Sequence, residues 1–190
     1  MDNRKMILQC ALELFYKRGY DATSVQEIVE MAGITKPTMY YYFKSKRGLL
    51  EALIQEKSEP LLQAVCEVPK RLASFEGQLY ELAKLYMSFC KKERHFYFFM
   101  LGQMYSPPEN EAHKVAAPFI RKQYEMITDT FQRAEGYLGN MNGRQEQFAI
   151  GFLGTIHFYM MVYNEKSMEN MLRDENIRAV VHQFLHGIYS

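Results

Sequence analysis

Two short amphipathic segments, separated by a three-residue break, constrain this chain more than anything else in its sequence. Ser24 precedes Glu27 by three positions, the spacing at which each side chain can satisfy a free N–H of a helix's first turn. Val25, Ile28, Val29 and Ala32 then make one apolar face, which gives a helix of about eight residues that needs neighbours to be stable. Gly33-Ile34-Thr35 is the break. Glycine can leave the helix left-handed, Ile34 can plug a small core, and Thr35 can cap the next helix. Pro37 falls in the first turn of that helix, where a missing N–H costs nothing, and Lys36 to Phe43 form it. Ser45 can cap a third helix beginning at Lys46. A further helix precedes the pair, with Ile7, Cys10, Ala11, Leu14 and Phe15 at helical spacing and Gly19 as its stop.

Two short helices with glycine at the bend are the pattern of a helix-turn-helix, whose second helix enters the major groove of DNA. Lys36, Thr38, Tyr41 and Tyr42 offer a charge, a hydroxyl and two amphipathic rings on that helix. Met39, Tyr40 and Phe43 are placed to face the core. Net charge is only +1, but residues 1–50 hold eight Lys/Arg against five Asp/Glu, while the remainder holds fifteen against seventeen. A basic end on a near-neutral body suits a dedicated binding module.

The ordered agreement goes further than any single motif. Ile7-Leu8, Ala11, Leu14-Phe15, Gly19-Tyr20, Thr23-Ser24-Val25 and Ile28 are succeeded by Ala32 through Phe43, Ser45-Lys46 and Leu49-Leu50. Residues 4–53 thereby closely resemble the N-terminal domain of the TetR family of bacterial transcriptional regulators. Met39 stands where that family usually has Leu, and Tyr42 where it has His or Tyr. The resemblance implies that Thr23, Ser24 and the start of the first short helix meet phosphates. It places Lys36, Thr38 and Tyr41 against bases or adjacent sugars, and Tyr42 and Lys46 on the DNA backbone. It implies an all-α fold, with a helix-turn-helix DNA-binding domain over residues 1–47 and a larger helical effector-binding and dimerisation domain over 48–190. The implied activity is that of a repressor, a homodimer released from a palindromic double-stranded DNA operator by a small hydrophobic or aromatic effector.

Beyond residue 50 the pattern stays helical. Leu49, Leu50, Leu53 and Ile54 open a long linking helix, Ser58 and Pro60 suggest a bend or restart, and Val68-Pro69 a break. Phe75–Lys91 reads as a helix, His95–Leu101 is apolar on nearly every face, and residues 112–135 read as helical, with Pro118 restarting or kinking the run. The chain holds 14 Tyr, 13 Phe and 13 Met without a Trp. Such side chains can line an adaptable pocket or simply fill a core. Phe96, Phe99, Met100, Tyr105, Tyr124 and Tyr159 are candidate pocket liners, and Arg94, His95, Gln103 and His157 candidate polar anchors. Phe148, Phe152, Thr155 and Tyr159 form one stripe of the penultimate long helix, and Ile177, Val181, Phe184 and Ile188 lie on the terminal one. These two stripes are expected to meet a twin subunit in a four-helix interface.

Three cysteines with no paired spacing, no signal-peptide core and no run of about 18 apolar residues point to a cytoplasmic protein without a membrane segment. No metalloprotease, nucleophile-elbow or phosphate-loop motif is present, so no enzyme, catalytic residue or cofactor is expected. His182 and His186 are four apart but have no third ligand at a useful spacing, so no metal site is expected either. A helical dimer without ligand-controlled DNA binding accounts for residues 50–190 equally well. It leaves the ordered segment 23–46 without a purpose.

Overall fold

In the computed structural model, residues 2–137, 143–163 and 165–187 are described. They form ten α-helices and a short 3-10 turn, with no strand among the described residues. The chain divides into two compact units, residues 1–60 with 93–120 and residues 61–92 with 121–190.

In the first unit, α1 (Asn3–Arg18) is started by the Asp2 carboxylate, which accepts from the Arg4 N–H. Ile7, Leu8, Ala11, Leu14 and Phe15 are buried along it. Such a wide buried face comes from three neighbours: α2 (Val25–Met31), α3 (Lys36–Phe43) and α6 (Arg94–Met104) all pack on it. The two short helices are held by the core rather than by their own length, because seven or eight residues do not make a stable isolated helix. Ile28, Met39, Leu49, Leu50 and Leu53 complete that core, each no more than 1% exposed. Gly33 leaves α2 with φ +64°, a conformation that costs a side chain-bearing residue energy, and so sets the angle at which α3 departs.

Two helices contribute to both units. The first is α4 (Lys46–Arg71), which is unbroken at Pro60 and Pro69, where the sequence suggested a restart and a break. Each proline removes one backbone hydrogen bond. Burial of Leu61, Leu62, Val65 and Val68 keeps the helix whole. The second is α7 (Glu111–Arg133), in which Pro118 likewise sits inside a continuous helix.

The second unit gathers α5 (Phe75–Lys92), α8 (Gln145–Val162), α9 (Glu165–Met171) and α10 (Asp174–His186) with the ends of α4 and α7. The short α9 has no clear sign in the sequence. Phe131 of α7 stands at the centre of a ring cluster, with Phe75, Phe148, Phe152 and Phe184 at centroid distances of 5.2, 6.2, 6.2 and 6.1 Å. Such edge-to-face and offset pairs contribute roughly 0.5–1.5 kcal/mol each beyond area burial.

Candidate DNA-reading face and helical body

The reading face is built by opposition on α3. Met39 and Phe43, four apart, are 0% and 5% exposed and anchor the helix. Lys36 and Tyr41 point outward, with Tyr41 74% exposed and Tyr42 set edge-on to it at 5.2 Å. Tyr40, expected in the core, is instead 42% exposed. One residue beyond Met39 is a rotation of about 100°, which takes the ring off the buried side. The exposed inventory therefore has three adjacent tyrosines rather than two. Thr35 caps α3, its hydroxyl accepting from the Thr38 N–H at 3.4 Å and lying 2.9 Å from the Thr38 hydroxyl. Lys44 ends the helix with φ +65° and donates to the Tyr41 carbonyl.

Ser24 forms the full reciprocal cap. Its hydroxyl accepts from the Glu27 N–H, and the Glu27 carboxylate accepts from both the N–H and the hydroxyl of Ser24. These bonds and Arg18 hold the Glu27 carboxyl below its usual range. Thr23, expected at a phosphate, is 1% exposed. Its hydroxyl donates its single proton to the Gly19 carbonyl at 2.8 Å, so Thr23 fixes the loop and does not reach DNA through that group.

Lys46 has a partner that local spacing could not reveal. Its Nζ donates to the Tyr20 carbonyl at 2.5 Å and lies 4.1 Å from the centroid of the Tyr20 ring. Burial pulls its pKa down, against the pull of nearby Asp21, Glu111 and Glu27. Tyr20 is itself buried, packs on Phe15 at 5.2 Å, and donates its hydroxyl to Glu111 at the start of α7. Asn110 donates to Asp21 beside it. The loop between α1 and α2 is therefore pinned to the 110–111 segment, and Lys46 sits on that loop.

The pocket candidates fall into two groups. Arg94, His95, Phe96, Phe99, Met100 and Gln103 lie on α6, with Tyr105 just after it in the same unit. Phe96 and Phe99 are core residues, Phe99 stacking on Phe15 at 6.0 Å. His95 stacks on Tyr16 at 4.3 Å, Gln103 donates to the Phe99 carbonyl, and Tyr105 is 89% exposed. Tyr124, His157 and Tyr159 belong to the second unit. Tyr159 donates to Gln183 and stacks on Tyr163, while His157 stands edge-on to Tyr86 at 6.1 Å. Tyr86 has the feature that sequence reading missed, a fully buried hydroxyl with no hydrogen-bond partner among the described residues.

Burial lowers His157 from the ordinary 6.5 to about 4. The unfolded chain takes up that proton near pH 6.5, whereas the folded chain refuses it until about pH 4. Stability is therefore full above about pH 6.5 and falls as pH drops through that window. Urea titrations of wild type and His157→Asn at pH 7, 6, 5 and 4 are expected to show a steeper acid loss for wild type. Parallel curves would contradict this.

The apolar side chains left exposed differ from the stripes expected at a twin subunit. Phe152, Ile177 and Val181 are 1%, 0% and 2% exposed within the single chain, so they fill its own core and are not open to a twin. Phe148, Thr155, Tyr159 and Phe184 are half-buried, and Ile188 lies outside the described residues. The outward stripe of α8 runs instead through Ile150, Gly154, Phe158, Met161 and Val162, the four side chain-bearing members being 58–63% exposed. Among the described residues no helix is long and apolar enough to cross a membrane, and no cluster of three metal-ligating side chains is present.

Known proteins resemble the N-terminal part of the chain in sequence and the whole of it in fold. The family model described as "Bacterial regulatory proteins, tetR family" matches residues 7–53. The activator FasR of Mycolicibacterium smegmatis is 28% identical over 128 residues, 67% of this chain and 54% of that protein. The class D tetracycline repressor of Escherichia coli is 39% identical over 54 residues, 28% of this chain and 25% of that protein. The chain thus spans about half or less of the length of these curated relatives. The solved structure of FadR from Bacillus subtilis in complex with stearoyl-CoA is 17% identical with a TM-score of 0.74, over 97% of this chain and 99% of the other, and shares its fold.

Proposed function

We infer that this chain is a sequence-specific, ligand-responsive transcriptional regulator of the TetR type, a reading supported by the match of residues 7–53 to the tetR-family model and by the likeness to the class D tetracycline repressor. The observation that carries the reading is the outward face of α3. Lys36, Tyr40, Tyr41 and Tyr42 are presented to solvent by a helix locked from behind by Met39 and Phe43. Exposed aromatic rings in such density serve no folding purpose, and beside a lysine they suit bases, sugars and phosphates. In this reading residues 1–47 are the reading head and 48–190 the body that controls it.

The proposed mode is repression by a homodimer on a palindromic operator, since two reading heads then meet successive major grooves. The exposed α8 stripe is the surface assigned to the twin subunit. A small hydrophobic molecule would release the operator by binding the DNA-incompetent arrangement more tightly, in proportion to the shift required. The stearoyl-CoA held by FadR makes long acyl chains the first class to test. Nuclease footprinting of the DNA flanking the chain's own gene, with and without acyl compounds, is the test. One protected palindrome, lost on adding ligand, is expected; uniform weak protection of all sequences would defeat the reading.

Lys36, Thr38 and Tyr41 are proposed at bases or sugars, Tyr42, Ser24 and Lys46 at phosphates. Only one of the three ammonium protons of Lys46 goes to the Tyr20 carbonyl, which leaves two for a phosphate. Lys46→Ala is expected to weaken all sequences about equally and to lower the salt slope of binding by roughly one. A salt titration with an unchanged slope would confine Lys46 to its structural contact.

A further inference from the structure

Ser58 on α4 and Arg94 at the start of α6 carry two buried polar groups that folding leaves unused. Lys57 donates to the Glu93 carboxylate at 2.7 Å, which brings these parts of α4 and α6 together within the first unit. Ser58 and Arg94 are the next residues along. Ser58 is 1% exposed, and among the described residues its hydroxyl has no partner, not even the carbonyl one turn back that a mid-helix serine ordinarily takes. Nη1 of Arg94 is buried and has no hydrogen-bond partner among the described residues, and the guanidinium lies 4.7 Å from the Phe98 ring centroid. Burying a guanidinium N–H and a hydroxyl without partners is costly, and alanine at 58 with methionine at 94 would serve stability better.

The charges also fail to close. Lys57 and Glu93 cancel, and Arg94 remains as one cation without a counter-ion among the described residues. No side chain caps the first turn of α6, so its free N–H groups add positive potential at the same end of the helix. From that end α6 continues as Phe96-Tyr97-Phe98-Phe99-Met100-Leu101, with Phe98, Met100 and Leu101 only half-buried.

We propose that Arg94 and Ser58 form an anchor for a single anionic oxygen group, carboxylate or phosphate, borne by a ligand whose remainder is apolar. The two donors grip the anion, and the aromatic run of α6 is the neighbouring surface suited to the tail. The assignment rests on the ligand-responsive reading above and gives its effector a charged head, singling out Arg94 among the four polar anchors the sequence offered and adding Ser58, which it did not.

The test measures binding of the full chain, without DNA, to probes of one chain length: dodecanoate, dodecan-1-ol and dodecanoyl-CoA. Wild type is expected to bind dodecanoate or dodecanoyl-CoA at least about tenfold more tightly than the alcohol. Arg94→Met is expected to weaken the anionic probe roughly 10- to 100-fold and leave the alcohol unchanged, with Arg94→Lys intermediate and Ser58→Ala smaller. Unliganded Arg94→Met and Ser58→Ala are expected to melt at or above the wild-type temperature, which separates lost binding from lost folding. Arg94-dependent binding of dodecanoate assigns the anion to a carboxylate, and of dodecanoyl-CoA alone to a phosphate. Equal binding of acid and alcohol, no binding of either anion, or an acid preference that survives Arg94→Met would overturn the anchor. An absent footprint with Arg94-dependent binding intact would instead count against the regulator reading.

Discussion

Gly48→Ala is expected to abolish specific operator binding and to destabilise the chain, although Gly48 touches neither the proposed DNA face nor any ligand group. A Cβ built on Gly48 collides with the Phe43 carbonyl oxygen and meets the Phe43 carbonyl carbon at 3.4 Å. Both atoms are backbone, so no side chain can swing aside to make room. The alanine gains about 1 kcal/mol of intrinsic helix preference at an early position of α4. Forcing a methyl group into packed backbone costs roughly 1–3 kcal/mol or more, so the net effect is a loss. The more telling consequence is geometric. Phe43 closes α3, and Ser45, whose hydroxyl accepts from the Gly48 N–H at 2.9 Å, opens α4. Relief of the clash must move the end of the reading helix against the helix that anchors it. The base contacts proposed for α3, worth about 1–3 kcal/mol each, then fail together. Chemical denaturation and footprinting read the two effects separately. A Gly48→Ala chain as stable as wild type with an unchanged footprint would refute the argument.

The second large effect concerns the exposed stripe of α8. Phe158 and Val162, one turn apart, are 62% and 63% exposed. Replacing both by glutamate leaves the core of the single chain untouched, but it would bury two carboxylates in any interface formed there, at several kcal/mol. Sedimentation equilibrium at micromolar concentration is expected to give about twice the 22.4 kDa chain mass for wild type and the chain mass itself for the double variant. Operator affinity is expected to fall roughly 100-fold or more, because the second half-site no longer benefits from the first. A monomeric wild type, or a dimeric variant, would show that the twin docks elsewhere or not at all.

What could be read in the sequence was what is decided locally. Ser24 with Glu27, Thr35 with Pro37, and Gly33 each act within a few residues, and the structure has α2 and α3 where their pattern put them. Facing was harder. Tyr40 is one rotation from Met39, and apolar character alone could not say which of the two lay inside. On α8 both sides are apolar, so periodicity could not tell whether Phe152 or Phe158 faces the chain's own core. Burial against Phe131 and Phe184 decides it for Phe152. Pro60 and Pro69 looked like breaks because a local penalty is visible in a sequence while the tertiary burial that outweighs it is not. The rest depends on partners far along the chain. Lys46 meets Tyr20 across 26 positions, and Tyr20 meets Glu111 across 91. The unused donors of Ser58 and Arg94 are defined by what fails to arrive beside them, and no spacing rule carries that information.

The pinned loop has a consequence for genetics. Tyr20 ties its ring and carbonyl to Lys46 and its hydroxyl to Glu111, while Asp21 takes Asn110. In the regulator reading, the start of α7 and the reading head then share hydrogen bonds that involve neither base nor effector. A selection for strains deaf to their inducer would therefore return alleles at Tyr20, Asp21, Asn110 and Glu111, and a map of such alleles would trace the wire between signal and operator rather than either end of it.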